Sequence, residues 1–180
     1  MSYNTLADFD AALRAGWPEQ AFPAEDVRMY FEWYKLAKAQ ERIVLGREKD
    51  LQQVISKYGR AGTGGAMLIG VKTWNIWVND SWILGGIHAH IPFYLFAETA
   101  KNWTYDAVYN EAQAANADPT RVLFVTTREI TGLNLSGYQM TDAAHPDGKK
   151  FDCTQPVLAD NASFKEYREH ARAVGMAARS

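Results

Sequence analysis

Ile43-Val44-Leu45-Gly46 is a short, continuous apolar run. A run of this kind is typical of a strand that is buried on both faces, as strands are in parallel sheets. Two more runs of the same character follow at residues 66–71 and 93–97, and helical segments separate the three. Because strands that alternate with helices are typical of crossovers in a parallel sheet, we expect an α/β, Rossmann-like, three-layer fold with a largely parallel sheet.

The residues before the first run predict a helical N-terminal segment. Thr5 is suited to cap a first helix that extends to Ala15, with Gly16 as its C-terminal stop. A second helix is expected after Pro23. It carries an apolar stripe at helical spacing, formed by Val27, Tyr30, Phe31, Tyr34 and Leu36. We expect this stripe to pack on the core, and an aromatic cofactor box is the alternative.

The middle of the chain gives weaker patterns. Helices are expected at residues 49–58 and 102–115. The glycines of residues 62–65 precede their strand, whereas a phosphate-binding loop follows one, so we interpret them as a turn. Asn79-Asp80-Ser81 is expected to cap a short helix that Gly85-Gly86 weakens.

The last third of the chain contains one ambiguous segment. Residues 122–125 resemble a strand, but Asp118-Pro119 at the start and Gly137 at the end favour a helix. Strands are expected at Tyr138–Thr141 and Phe151–Thr154, on either side of a turn that contains His145. A final helix is expected at residues 162–174.

Length and composition indicate one domain, residues 1–180, with a helical segment (1–41), a sheet-forming core (42–155) and a C-terminal helix (156–180). A net charge of -2 argues against a basic nucleic-acid-binding surface. The single cysteine, Cys153, excludes an internal disulfide and a zinc site built on several thiolates. The apolar runs are far shorter than the roughly 20 residues that a membrane span needs, and residues 1–20 lack the apolar run of a secretory signal.

Ligands of open α/β sheets bind beyond the carboxyl ends of the strands. The residues that follow the three predicted strands are polar or aromatic: Arg47 and Glu48, Lys72 and Trp74, and Glu98. We expect these side chains to share one cleft, with Lys72 and Glu48 among its binding residues. Arg47 would orient an anion, Trp74 would stack on a planar ring, and Glu98 would transfer a proton. Asn79 joins this group because a helix N-terminus points its amides toward the same crevice. The alternative is an ion pair between Arg47 and Glu48 or Glu98 at the sheet edge.

The histidines give no metal motif. On a helix, His88 and His90 would lie on different faces, and no nearby carboxylate completes a recognised site. His145 and His170 are expected to be solvated. We therefore predict neither a metal nor a cofactor, and the serine-hydrolase and zincin motifs are absent from the sequence.

Three segments resemble the α/β toxin domains at the C-termini of bacterial polymorphic toxins. Residues 41–47 with Asp50 are similar to their opening strand, residues 77–87 with 93–95 to their middle segment, and residues 128–138 to their late helix and turn. The resemblance spans residues 41–140. It implies a domain that is delivered into a rival cell and neutralised by an immunity protein, but it assigns no reaction and no catalytic residue.

We therefore expect an effector or toxin domain that acts on a nucleotide-like or nucleic-acid substrate in the cytoplasm of a target cell. It would arrive there as part of a larger secreted protein. The alternative is a non-catalytic interaction module, such as an immunity or adaptor protein, whose aromatic-rich helix at residues 24–40 forms the interface.

Overall fold

A computed structural model describes residues 2–45, 56, 75–95, 129–130 and 132–170. Labels are given to the elements whose ends both lie in these ranges. They are α1 (Leu6–Gly16), α2 (Ala24–Lys38), β1 (Ile43–Leu45), α3 (Ile76–His88), β2 (Phe93–Leu95), β3 (Tyr138–Asp142), β4 (Lys149–Cys153) and α4 (Pro156–Asn161). Residues 129–130, 132–135 and 164–170 are also helical.

The four strands form one open sheet in the order β1-β2-β4-β3. β1 and β2 are parallel, with Ile43 opposite Phe93, whereas β4 is antiparallel to both of its neighbours. The chain is therefore an α/β protein with a mixed sheet. The expectation of a largely parallel sheet is not met by the described strands, because β3 and β4 are joined by a short loop and such a connection makes an antiparallel pair.

The core lies between one face of this sheet and the helices, where α3 is buried on nearly every side. Its sequence is apolar all round except for a short polar segment, which is the pattern of a helix enclosed by protein. Gly85 and Gly86 allow α3 to lie close to α2 and to the sheet. A Cβ at Gly85 would collide with the carbonyl oxygen of Tyr34 in α2, and one at Gly86 with the side chains of Ile43 and Phe93.

The N-terminal helices follow the sequence expectations. Thr5 caps α1 by accepting a hydrogen bond from the amide of Asp8 (3.1 Å), and α1 ends at Gly16. α2 begins directly after Pro23. Its stripe packs in the core, as expected: Val27, Tyr30, Phe31 and Tyr34 are buried, and Leu36 at its margin is 37% exposed.

The expected cap of α3 is wrong. The helix begins at Ile76, and Asn75 caps it by accepting a hydrogen bond from the amide of Val78 at 2.8 Å. Asn79 therefore lies inside the helix. The two glycines do not weaken it, because its packing against α2 and the sheet requires small residues there.

The later elements are confirmed where they are described. β3 and β4 lie within two residues of their expected bounds, and the segment before Gly137 is helical. The run at residues 66–71, the glycine turn at 62–65 and the helix at 102–115 lie outside the described residues. None of the helices formed by the described residues combines the length and the apolar character needed to cross a membrane.

Candidate functional site

The predicted cleft falls largely on residues that the structure does not describe. Arg47, Glu48, Lys72, Trp74 and Glu98 are all outside the described ranges. Their convergence therefore stays a prediction. Asn79, the sixth residue of that group, is the one that the structure places.

Asn79 lies in the N-terminal half of α3, the helix that directly precedes β2. Four residues, 89–92, join α3 to β2, and the amide of Ile91 bonds to the carbonyl of Gly86 (3.0 Å). Because Gly86 also packs against Phe93, α3 runs back antiparallel to β2. Along the axis of α3, Asp80 lies about 9 Å from Gly86. The three residues of β2 span about 7 Å along the strand. The polar segment of α3 therefore lies about 9 Å along the helix from its contact with the start of β2, and Asn79 is inside the helix.

Two carboxyl groups are buried at this position. Asp80 in α3 is fully buried and Glu129 is 6% exposed, although ionisable side chains are seldom enclosed to this degree. The pKa of Glu129 is raised to about 8. Burial is the larger cause, and the neighbouring negative charge of Asp80 adds to it. Glu129 therefore holds a proton at neutral pH, beside a second carboxyl group.

A protonated carboxyl group next to another carboxyl group is suited to proton transfer. One group can donate a proton while the other accepts one, and enzymes separate the roles of two carboxyl groups by giving them different environments. Sequence reasoning missed this pair. The available signal was Asp80 itself, a charged residue in a helix that is otherwise apolar on all sides, but the interpretation of residues 79–81 as a cap concealed it.

A second polar group lies on the other face of the sheet, around Tyr94 of β2. The ring of His145 lies 4.7 Å from the ring of Tyr94, and the guanidinium carbon of Arg42 lies 5.7 Å from it. Arg42 also forms a 2.8 Å ion pair with Asp147, which is 3% exposed. The loop between β3 and β4 is thereby held against the sheet. The expectation of a solvated His145 is met only in part, because this loop folds over β2 and leaves the residue with intermediate exposure.

The two histidines near the end of α3 do not face one another. His88 is buried, with Nδ1 2.6 Å from the hydroxyl of Tyr34 and Nε2 2.8 Å from the carbonyl of Ala162. Burial lowers the pKa of His88 to about 4, so the neutral ring accepts from Tyr34 and donates to Ala162. His90 instead contacts Asp160 (2.8 Å). In the described part of the chain, no group of three or more His, Cys, Asp or Glu residues is placed to hold a metal ion.

A surface cavity of about 440 Å³ lies between the end of α1 and residues 165–169. Its most enclosed cation, Arg168, donates to the carbonyl of Gly16 (3.0 Å) and to the carboxylate of Glu19 (2.8 Å). The guanidinium also lies 4.2 Å from the ring of Trp17. These contacts join residues 164–170 to α1, which is a structural role.

Comparison with known proteins gives no relative for this chain. No protein-family model matches it, and neither a curated protein nor a solved structure does.

Proposed function

We propose that this chain is an effector domain that acts by general acid–base catalysis on a nucleotide-like or nucleic-acid substrate. The observation that carries the proposal is the buried pair of carboxyl groups, Asp80 and Glu129. Burying a carboxyl group in a protein carries a free-energy cost that its surroundings have to offset. Carboxyl groups whose pKa is strongly raised, as that of Glu129 is, cluster at active sites.

Asp80 lies in the N-terminal half of α3, the helix that directly precedes the parallel strand β2. Open α/β sheets bind their ligands beyond the carboxyl ends of such strands, and we propose that the pair serves a substrate there. In the proposed reaction, Glu129 protonates the leaving group and Asp80 accepts a proton from the attacking water. Such a pair can cleave a glycosidic or phosphate ester bond of a nucleotide without a redox partner.

The cellular setting follows from the resemblance to polymorphic toxin domains over residues 41–140. We place the site of action in the cytoplasm of a target cell, after delivery within a larger secreted protein, with an immunity protein as the natural inhibitor. We also propose a Rossmann-like, three-layer arrangement. It is supported by the low exposure of Val44 (2%) and Tyr94 (6%), which point away from the core face of the sheet.

Expression in bacterial cells tests the proposal. The wild-type chain is expected to stop growth, and Glu129→Gln and Asp80→Asn to relieve the arrest at equal levels of soluble protein. Glu25→Gln, on the exposed start of α2, is the matched control and should arrest growth like the wild type. Incubation of the purified chain with free nucleotides and with total RNA then identifies the substrate. Soluble wild-type protein that leaves growth unaffected would contradict the proposal.

The alternative is a non-catalytic interaction module. The aromatic face of α2 that was expected to form its interface is not accessible, because Tyr30, Phe31 and Tyr34 are at most 8% exposed. What remains in its favour is α4, where Val157 is 70% and Leu158 is 44% exposed. A stoichiometric partner that is lost on Val157→Asp, together with a chain that is harmless to cells, would favour this alternative.

A further inference from the structure

The imidazole of His88, near the end of α3, is a buried side chain at which four parts of the chain meet. Its Nδ1 lies 2.6 Å from the hydroxyl of Tyr34 in α2, and its Nε2 lies 2.8 Å from the carbonyl oxygen of Ala162, directly after α4. The amide of Tyr3 donates to the same tyrosine hydroxyl at 3.0 Å, and the ring of Tyr3 lies 5.1 Å from the imidazole. One histidine of α3 therefore connects α2, the residues before α1 and the segment after α4.

The hydrogen bonds around His88 are those of a neutral ring. The Tyr34 hydroxyl donates to Nδ1, and Nε2 donates to the carbonyl of Ala162. A protonated ring carries a hydrogen on both nitrogens, so it cannot accept a hydrogen bond from Tyr34. That hydroxyl would have to turn its proton toward the hydroxyl oxygen of Ser2, 3.3 Å away, which already accepts a hydrogen bond from Lys38. The direction of these hydrogen bonds must therefore change before the ring can hold a second proton.

The surroundings of His88 oppose a positive charge on the ring. Burial is the largest cause, because the enclosed ring has little water around it to solvate a charge. The ammonium of Lys38 and the amino group of the chain act in the same direction. The carbonyl of Ala162 and the carboxylate of Asp160 favour the charged ring, but that carboxylate lies 2.8 Å from the exposed His90. The balance lowers the pKa of His88 to about 4.

We propose that His88 is an acid-sensitive clamp, whose protonation lets the residues before α1 and the segment that begins at Ala162 separate from α3. In the closed form, Tyr3 is 5% exposed and Phe164 is fully buried, and their rings stack at 6.2 Å. In the open form, water reaches the imidazolium and both aromatic rings become exposed. Such an opening is local, so the sheet stays folded while the two ends respond to pH. The inference does not depend on an acid–base role for the buried carboxyl pair.

Amide hydrogen exchange of the whole chain, followed by NMR at pH 7 and pH 5 and corrected for intrinsic rates, tests the clamp. The reporters are the amide of Tyr3, which donates to Tyr34, and that of Tyr167, which donates to the carbonyl of Ser163 at 3.1 Å. The histidine has a pKa of about 4 when the clamp is closed and the ordinary 6.5 when it is open. Its contribution to closing is therefore complete above pH 6.5 and is lost as the pH falls from there through 4. Between pH 7 and pH 5, the opening constant should rise about twentyfold.

His88→Gln cannot take up the proton, so its opening constant should not rise in acid. His170→Gln, the same change at an exposed histidine, is the matched control and should behave like the wild type. Lys38→Met removes one of the opposing charges and should reduce the rise, which gives a second test if His88→Gln does not fold. Glu129→Gln should show the full rise, so a failure of the acid–base proposal leaves this result unaffected.

Three results would overturn the clamp. The first is exchange at Tyr3 and Tyr167 that does not change with pH in the wild type, or that rises equally in His88→Gln. The second is an equal rise at the amides of the sheet, because it would mean that the whole chain unfolds. The third is an imidazole of His88 that titrates near pH 6.5 in NMR spectra of the folded chain, since the closed form would then accept the proton as readily as the open form.

Discussion

Glu129→Gln is expected to stabilise the folded chain at neutral and alkaline pH. The pKa of Glu129 is about 8 in the folded chain, against an ordinary value of 4.5. The folded state therefore holds this proton more tightly than the unfolded chain does. Its contribution to the free energy of unfolding is complete below pH 4.5 and is lost as the pH rises from there through 8. At pH 8 the loss is about 4 kcal/mol, and at pH 5 it is below about 1 kcal/mol. A glutamine has no proton to lose, so it avoids this penalty.

Urea unfolding at pH 5, 6, 7 and 8 measures the effect. The free energy of unfolding of Glu129→Gln relative to the wild type should rise by about 3 kcal/mol between pH 5 and pH 8. Glu25→Gln, in the exposed first turn of α2, is the control and should follow the wild-type curve. Parallel curves for Glu129→Gln and the wild type would refute the argument, because they would mean that Glu129 ionises as readily in the folded chain as in water.

Three further changes test the packing. Gly85→Ala should lower the free energy of unfolding by about 2 kcal/mol in urea. The new Cβ would collide with the backbone of Tyr34, and the cost of this collision outweighs a helix-propensity gain of about 1 kcal/mol. Unchanged stability would show that α2 and α3 can separate. Asn75→Ala should cost about 1 kcal/mol and speed amide exchange in the first turn of α3, and unaltered exchange would argue against its role as the cap. Asp147→Asn should cost about 1 to 2 kcal/mol and make residues 143–148 easier to cleave in limited proteolysis, because the ion pair with Arg42 holds that loop; resistance equal to the wild type would mean that other contacts suffice.

The elements with local signals could be predicted from the sequence. Thr5 marks a helix start through its side-chain hydroxyl, and Pro23 marks one through its fixed backbone angle. The two strands of the hairpin are identified by the turn that joins them. The apolar runs at residues 43 and 93 predicted two strands of the sheet, and these strands are a parallel pair. These signals depend on residues that are close in sequence, and so one sequence is enough to interpret them.

The start of α3 and the carboxyl pair depend on distant contacts. Asn75 and Asn79 are both good caps, and the burial of the intervening turn against α2 decides between them. Asp80 and Glu129 come together only when α3 and the later helical segment pack, which no local pattern encodes.

The order of strands in the sheet has a kinetic consequence. β3 and β4 adjoin across a short loop, so this hairpin can form within microseconds. The centre of the sheet is different, because β2 pairs with β1 and β4 across long stretches of chain. Closing these long loops costs entropy before the strands make stabilising contacts. Folding should therefore pass through a stage in which the hairpin and helices exist but β2 has not yet docked. Until then the backbone edges of β1 and β4 that pair with β2 are exposed, and the chain is most vulnerable to aggregation in that interval.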